Sequence, residues 1–386
     1  MWLDLTPEQE FFRETTAKFL ADQVPASLLQ RFAGTVPADF EADYWRRGAA
    51  LGWTSLMVSE DAGGGSISEQ PLVDLALIAG ELGRHAAPGP LLPANVVAAA
   101  LNEAGTHPEV LAGLLDGTSV AAWCHAEPRG GASGISLEIR ADAGDLVLNG
   151  AKRPVEAADT ADYLLVSGLH ADGPHADGPH ADGGLTQVLV PADAAGVLVT
   201  PLRTSDYGHR FGAVTFTDVR VPTSAAVGEP GGAARQLAWQ SEIALVLACA
   251  ETAGAMQAGF DMTLAWARDR YSFGRPLASY QALKHRFADM KMWLEASHAI
   301  TAAAAVAVGD RAEGAGELAS AAKAYIGQYG PQLMQECVQL HGGIGLTKEL
   351  DLHLYLRRVT TNAMLYGTPA DHRQQLADHV QRLEEI

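Results

Sequence analysis

Arg270-Tyr271-Ser272-Phe273-Gly274-Arg275-Pro276-Leu277-Ala278-Ser279-Tyr280-Gln281-Ala282-Leu283-Lys284-His285 separates two long helical runs, at about 233–270 and 280–309. The chain must turn here. Gly274 can take a positive φ, and Pro276 cannot continue a helix because its ring removes a backbone N–H. Arg270 places a cation at a helix end, and Phe273 sets an aromatic ring close to it. Guanidinium groups pair with anionic oxygens and rings stack on planar groups, so the pair suits an anionic, planar ligand. On composition alone the same residues also describe an ordinary helix–turn–helix corner.

Outward from this turn the C-terminal part reads as helix at 233–270, 280–309, 313–340, 351–364 and 371–384. Ala302–Val308 holds only Ala and Val, small side chains that allow close helix packing. At the other end, Thr6-Pro7-Glu8-Gln9 opens a helix with Thr6 as N-cap, Pro7 at N1 and Gln9 completing a capping box. Further helices are expected at 40–51, 71–86, 93–104 and 107–116. They are interrupted by the Val58–Gly65 loop, flexible by composition, and by Pro88, Pro90 and Pro93. Between these helical parts the pattern becomes short strands, at 119–124, 136–139, 146–148, 163–166, 186–190, 197–200 and 213–219. Asn149-Gly150 reads as a hairpin turn. The expectation is an α+β multidomain protein: an all-α domain (1–117), an antiparallel β-domain (118–228) and a four-helix-type bundle (229–386).

The chain's 386 residues suffice for two or three packed units, and 48% hydrophobic with 19% charged residues suits substantial cores. A formal net charge of −19 opposes nonspecific nucleic-acid binding. Cys124, Cys249 and Cys337 are too scattered for a disulfide framework or a zinc cluster. The first residues show neither a basic nor an apolar leader segment, and no uninterrupted apolar run reaches about 18 residues. A cytoplasmic protein without a membrane span is expected. His170-Ala171-Asp172-Gly173-Pro174 recurs from His175 and, without its proline, from His180. The period reads as an expanded exposed loop between two strands rather than a metal site, since nothing fixes ligand geometry. No metal is expected.

The second informative stretch is Gln339-Leu340-His341-Gly342-Gly343-Ile344-Gly345-Leu346-Thr347. Glycines after a helix let backbone N–H groups approach a phosphate, and Gln339 can hydrogen-bond a base or ribose. Each stretch alone is weak. Together, Arg-x-x-Phe-Gly-x-x-Leu-x-x-Tyr-Gln-x-x-x-His-x-x-Ala-Asp (270–289) and Gln-x-x-Gly-Gly-x-Gly (339–345) resemble motifs of the acyl-CoA dehydrogenase family. Asp351-x-His353-x-Tyr355-x-Arg357-Arg358 continues the resemblance, as does Ala122–Pro128, similar to the family's flavin-side Cys-x-Thr-Glu-Pro strand. The resemblance spans essentially the whole chain and implies the same three-part fold. It further implies FAD as cofactor, an acyl-CoA substrate, an electron-transferring flavoprotein as electron acceptor, and a homo- or hetero-oligomer. The implied reaction removes an α-proton by a base and the β-hydrogen as hydride. FAD contacts carried over by position are Arg270, Phe273, Leu277, Tyr280, Gln281, Gln339, Gly342, Gly343 and Thr368.

Departures from the family pattern are concentrated on one surface. The usual catalytic Glu position is Tyr366, and a phenol with an ordinary pKa near 10 is a poor base at neutral pH. The alternative position, on the first long helix of the last domain, aligns with Ala244; Glu251 and Glu242 are the weak candidates nearby. Where the family has Lys-x-Trp-Ile-Thr-Asn, this chain reads Lys152-Arg153-Pro154-Val155-Glu156-Ala157. Pro154 thus replaces the aromatic packed on flavin, and Glu156 the hydroxyl at flavin N5. Ala126 replaces the Thr of the strand motif, and Leu245 a usual Arg. Three functional readings follow. The chain is an FAD-clamping subunit paired with a related chain, resembling heteromeric (α2β2) steroid-degrading members. Or it is a homo-oligomeric enzyme with a relocated base, or a non-catalytic acyl-CoA- or partner-binding protein.

Overall fold

The structure, a computed structural model, describes residues 5–32, 38–128, 134–170 and 184–384. Helix α1 (Pro7–Gln23) begins as its sequence dictates. The Gln9 amide donates to Thr6 Oγ1 at 3.2 Å and the Thr6 amide to Gln9 Oε1 at 3.1 Å, closing the capping box. Then come α2 (Ala26–Phe32), α3 (Ala38–Ala50), α4 (Pro71–Arg84), α5 (Leu91–Ala104) and α6 (Pro108–Leu115). α5 starts two residues earlier than expected because Pro93 sits in its first turn, where its missing N–H costs nothing. The Val58–Gly65 loop, expected to be flexible, is a closed turn. Glu60–Ala62 form a 3-10 turn capped by Gly63 at φ 88, and a Cβ on Gly64 would lie 2.3 Å from the Val58 carbonyl.

The middle of the chain forms one sheet: β1 (Ala121–Cys124), β2 (Glu138–Asp142), β3 (Asp145–Glu156), β4 (Tyr163–His170), β5 (Leu185–Pro191), β6 (Val197–Leu202), β7 (Phe211–Pro222) and β8 (Ala226–Val227). The order is β6-β7-β3-β2-β4-β5-β8. Pairing is antiparallel except that β1 and β2 each run parallel to β4, β1 along 163–166 and β2 at 169–170. The His-Ala-Asp-Gly repeat lies outside the described residues, apart from His170 at the end of β4.

Asn149-Gly150 is not the hairpin turn. Ala143 and Gly144, at φ 52 and 96, make the two-residue turn between β2 and β3. Asn149-Gly150 instead lies within β3, where the register with β7 slips between Leu148 and Gly150. Asn149 Nδ2 donates to Asp218 Oδ1 at 3.1 Å, and the Asp218 amide donates to Asn149 Oδ1 at 2.9 Å. Both dipeptides tolerate positive φ, and the long pairing with β7 decides which one turns: tertiary contact overrides local turn preference.

The C-terminal part is α7 (Ala234–Asp269), α8 (Gln281–Gly309), α9 (Ala315–His341), α10 (Leu352–Met364) and α11 (Pro369–Glu384). α7 has 36 residues, about 54 Å at 1.5 Å per residue. α7 and α8 are long and apolar enough to cross a membrane by length and composition, although polar residues interrupt the apolar run in each. α7 uses that apolarity as the central core helix, with most of its apolar window buried. It crosses α4 backbone to backbone. A Cβ on Gly83 would lie 1.9 Å from the Glu251 carbonyl oxygen, and one on Gly254 1.9 Å from that of Gly80.

Two cores result. The first runs from the N-terminal helices through the C-terminal bundle and takes in Ala121, Trp123, Leu165 and Leu189 from the sheet. The second, on the other face, contains Ala122, Cys124, Leu164 and Val166. The two-residue period of β1 and β4 thus divides their side chains between helices and sheet interior. Trp123 stands on the helix-facing side.

Candidate functional site

The corner between α7 and α8 is a miniature hairpin of β9 (Tyr271–Ser272) and β10 (Arg275–Pro276). Phe273 and Gly274 form its turn at φ 51 and 81, the geometry of a type I′ connection. Phe273 is 96% exposed, so a large apolar ring is held in a conformation unusual for its type with nothing covering it. Tyr280 Oη donates to the Ser272 carbonyl at 2.7 Å and the Leu277 amide to the Arg270 carbonyl at 2.8 Å. Three of the expected FAD contacts, Arg270, Leu277 and Tyr280, therefore also hold the hairpin's shape.

The structure brings this corner to the second glycine-rich stretch. The Arg270 guanidinium lies over the Trp266 ring, 5.8 Å from its centroid, and Trp266 stacks on His341 at 5.4 Å. α9 ends at His341, where Gly342 takes φ 66 and the chain enters a 3-10 turn. A Cβ on Gly274, Gly342 or Gly343 would meet nothing within 4 Å. Trp266 Nε1 and His341 Nε2 are buried without a hydrogen-bond partner. Open space over bare backbone, an exposed Arg, exposed Gln281 and Gln339, and two orphaned ring nitrogens fit the pyrophosphate–adenosine half of a dinucleotide.

A cavity of about 510 Å³ lies elsewhere, between the sheet, α7, the α10–α11 connection and α11. Its walls include Trp123, His125 and Ala126 after β1; Pro154 and Glu156 on β3; Glu242 and Leu245 on α7; and Tyr366 and Thr368 before α11. Of the nine positions carried over from the family motifs, Thr368 lines this cavity and the other eight do not. Thr368 also caps α11: its amide and Oγ1 each donate to Asp371 Oδ2 at 2.8 Å. His125, Trp123 and Tyr366 form an aromatic wall, with ring centroids 4.7 and 6.0 Å apart. Lys152 and Glu127 pair inside the sheet at 2.7 Å. Glu127 also accepts the Leu137 amide at 2.9 Å, so it is structural.

Beside the cavity is a buried charge network with no local sequence signature. Arg358 on α10 is 0% exposed and Nε donates to Asp206 in the β6–β7 connection. Nη1 donates to Glu251 Oε1 at 2.7 Å, and Nη2 to the Ala86 and Ala87 carbonyls at 3.1 and 2.9 Å. His209 Nε2 lies 3.1 Å from Glu251 Oε1, and Asn362 Nδ2 donates to Glu251 Oε2 at 2.7 Å. Burial would push the Glu251 carboxyl up, but Arg358 and His209 outweigh it and hold it down to about 2. Burial and Arg358 oppose a charged His209, but Glu251 and Glu156 prevail and raise it to about 9. Two cations and two carboxylates are thereby matched.

Glu156 is the carboxyl left over. It is 8% exposed, and no hydrogen bond or ion pair engages its side chain among the described residues. Burial, with Glu251 adding to it against His209, raises its acid to about 7. Tyr366 is raised well above the ordinary phenol by burial and then by Glu156 and Glu251. Of the two carboxylates weighed as a replacement base, Glu242 reaches the cavity and Glu251 faces a void of only about 20 Å³. Glu242 is raised by burial and then by Glu317, with Arg311 opposing. Glu156 stood out in the sequence only as a departure from a motif. Asp206, His209 and Asn362 carried no warning, although Asp206-x-Gly208-His209 has the form of an Asx turn, with the Gly208 amide on Asp206 Oδ1 at 2.7 Å.

The walls of the cavity fit a flavin ring poorly: Pro154 and Ala126 offer no donor or stacking ring, and Glu156 brings an uncompensated acid. The outer corner fits the cofactor's tail.

Comparison with known proteins identifies the frame. Models of the acyl-CoA dehydrogenase N-terminal and C-terminal domains match residues 6–110 and 243–381. Acyl-CoA dehydrogenase IpdE2 of Mycolicibacterium smegmatis is 27% identical, over 97% of this chain and 100% of its own length. Probable acyl-CoA dehydrogenase YngJ of Bacillus subtilis is 26% identical over 98% and 99%. Butyryl-CoA dehydrogenase from Megasphaera elsdenii superposes with a TM-score of 0.88 at 21% identity, covering 99% of this chain and 100% of that one. A variant of the Tcur3481-Tcur3483 steroid ACAD gives 0.86 at 26%, covering 98% and 99%. Members of this family are FAD-dependent oxidoreductases acting on acyl-CoA thioesters. The chain belongs to the acyl-CoA dehydrogenase family.

Proposed function

We propose that this chain works as one half of a paired acyl-CoA dehydrogenase, offering its α7–α8 hairpin and the end of α9 to the tail of an FAD seated on a related chain. The observation that carries this is the separation of the two half-sites: the dinucleotide-tail residues lie at the outer α7–α8 corner, while the chain's own cavity holds only Thr368 of the nine carried-over positions and has Tyr366 where the usual base stands. When bound, FAD supplies the hydride acceptor for α,β-dehydrogenation of the acyl thioester. Arg270 would pair with the pyrophosphate, Gly342 and Gly343 would let it approach the backbone, and Phe273 would cover it from water. Glu251 is a poor base in this chain, since a carboxylate held to about 2 and bonded by three partners has little tendency to take a proton. An electron-transferring flavoprotein as acceptor and a cytoplasmic setting belong to the same proposal.

The test is FAD stoichiometry, read from absorbance. The chain purified alone should carry little flavin, and the chain co-expressed with a neighbouring family member should yield about one FAD per pair. One tightly held FAD per lone chain, with acyl-CoA-dependent dye reduction, sinks the proposal. A second reading, a homo-oligomeric enzyme with Glu242 as base, draws support from the place of Glu242 in the cavity wall. Under that reading Glu242→Gln slows single-turnover flavin reduction by about two orders of magnitude.

A further inference from the structure

Within this network Glu156 alone has no hydrogen-bonded or ion-pair partner among the described residues. Burial outweighs His209 and Arg358, which favour its charge from a distance. On its side of the site, Arg358 and His209 are already matched by Asp206 and Glu251, and the Arg358 guanidinium has its donors on those carboxylates and on the Ala86 and Ala87 carbonyls. The other titratable and charged groups lining the same cavity are Tyr366 before α11, His125 and Glu127 after β1, Arg153 on its own strand, Glu242 on α7, Glu317 on α9, and Asp371, His372, His379 and Arg382 on α11. Of these, Tyr366 is raised by burial and then by the Glu156 charge. Glu127 is engaged by Lys152, and the Arg153 side chain is exposed. A carboxyl buried in this way, with an open cavity in front of it, will accept a neighbour that takes a hydrogen bond from its acid form. It will reject the same neighbour once it is a carboxylate, because lone pair then faces lone pair in a poorly solvated wall.

We infer that Glu156 determines what this chain's own cavity admits: a neutral planar ring bearing a lone-pair nitrogen or carbonyl oxygen enters when Glu156 is protonated and is shut out when it is ionised. The flavin ring belongs to that class, and Trp123, His125 and Tyr366 line the cavity it would enter. The inference rests on the proposal that the cavity has lost its own firm flavin seat and explains which residue withholds it. Glu156 is thus a specificity-determining residue with a proton-dependent setting.

The experiment separates the two halves of the cofactor. Riboflavin, which has the ring and no phosphate or adenine, probes the cavity; ADP, which has the tail and no ring, probes the α7–α8 corner. Both are titrated into the purified full-length chain at pH 6 and pH 8.5, riboflavin by fluorescence and ADP by calorimetry. With an acid titrating at about 7, the protonated fraction falls from about nine-tenths to about one-thirtieth, so the apparent riboflavin Kd of the wild type rises about 30-fold. Glu156→Gln keeps the size and cannot ionise. It should bind riboflavin with the same Kd at both pH values, at least as tightly as the wild type at pH 6.

A wild-type Kd that does not change with pH overturns the inference, and so does a pH dependence that survives in Glu156→Gln. Failure of riboflavin to bind either protein at pH 6, with circular dichroism showing both folded, overturns it as well. ADP binding is independent of Glu156. Its absence would count against the proposed tail-clamping function and leave the riboflavin result to stand on its own.

Discussion

Replacing Glu156 by Gln should stabilise the protein above neutral pH and leave it unchanged in acid. The Glu156 acid stands at about 7 in the folded chain, against 4.5 for the ordinary side chain. Below about 4.5 both folded and unfolded chains hold the proton, and Glu156 costs nothing. Between 4.5 and 7 the folded chain binds more protons than the unfolded one, so stability falls as pH rises. Above 7 both forms are ionised, and the full cost remains. The rise from 4.5 to about 7, at about 1.4 kcal/mol for each tenfold change in proton affinity, amounts to about 3 kcal/mol. For a chain of this size unfolding cooperatively, that is about 4 °C in Tm. The assay is urea unfolding of both proteins at pH 4.5, 6, 7 and 8.5. Carboxylates remote from this network titrate alike in the two, so the difference between curves reports residue 156 together with its coupling to His209 and Glu251. A gap that opens from near zero at pH 4.5 to a plateau above pH 7 is expected. A constant offset, or a variant less stable than the wild type at pH 8.5, refutes the claim that this carboxyl is buried without a partner.

Arg358→Ala leaves Asp206 buried without its ion-pair partner and Glu251 with His209 and Asn362 alone, and should cost about 3–5 kcal/mol at pH 7 by denaturant unfolding. Glu251→Gln should lower stability at neutral pH. Its contribution, from a carboxyl held at about 2, is present above 4.5 and disappears as pH falls toward 2, which unfolding curves between pH 3 and 7 will show. Gly83→Ala and Gly254→Ala each drive a Cβ to 1.9 Å from a carbonyl oxygen of the opposing helix, so each should destabilise by about 1–3 kcal/mol despite alanine's better helix propensity. Arg270→Ala should weaken ADP binding by about tenfold or more, since charge-assisted bonds to phosphate are lost. It should leave Tm unchanged, because that side chain is exposed and touches only the face of Trp266.

Much of the fold was legible because it is written locally. The Thr6–Gln9 capping box, the positive φ of Gly274, the end of α9 before Gly342 and the two-residue period of β1 and β4 each follow from residues within one or two turns of one another. Asn149-Gly150 failed as a turn because two dipeptides of similar freedom lie six residues apart, and only the pairing of β3 with β7 chooses between them. The dinucleotide-tail corner was legible for a similar reason. Its parts lie at the ends of consecutive long helices, where glycine and proline punctuate the chain, and Trp266 then joins them.

The charge network lies beyond that kind of reading. Its members come from β3, the β6–β7 connection, α7 and α10, separated by as many as 202 positions (156 to 358), and no spacing within any one element announces them. What joins them is burial. In water each of these side chains would be unremarkable, but in a poorly solvated interior their charges must be matched almost one for one. Arg358 is held between two carboxylates and two carbonyls, His209 takes its proton from the same requirement, and Glu251 becomes a tie between α7 and α10 instead of a base. Matching two cations with two anions consumes the available charge before Glu156 is reached. The substitution that looked from the sequence like damage to a flavin site is, in the folded chain, a third acid with no hydrogen-bonded partner among the described residues and the cavity beside it. Its protonation depends on its burial, on His209, Glu251 and Asp206, which no motif contains, and on Arg358, and its effect on what the cavity admits is fixed by them.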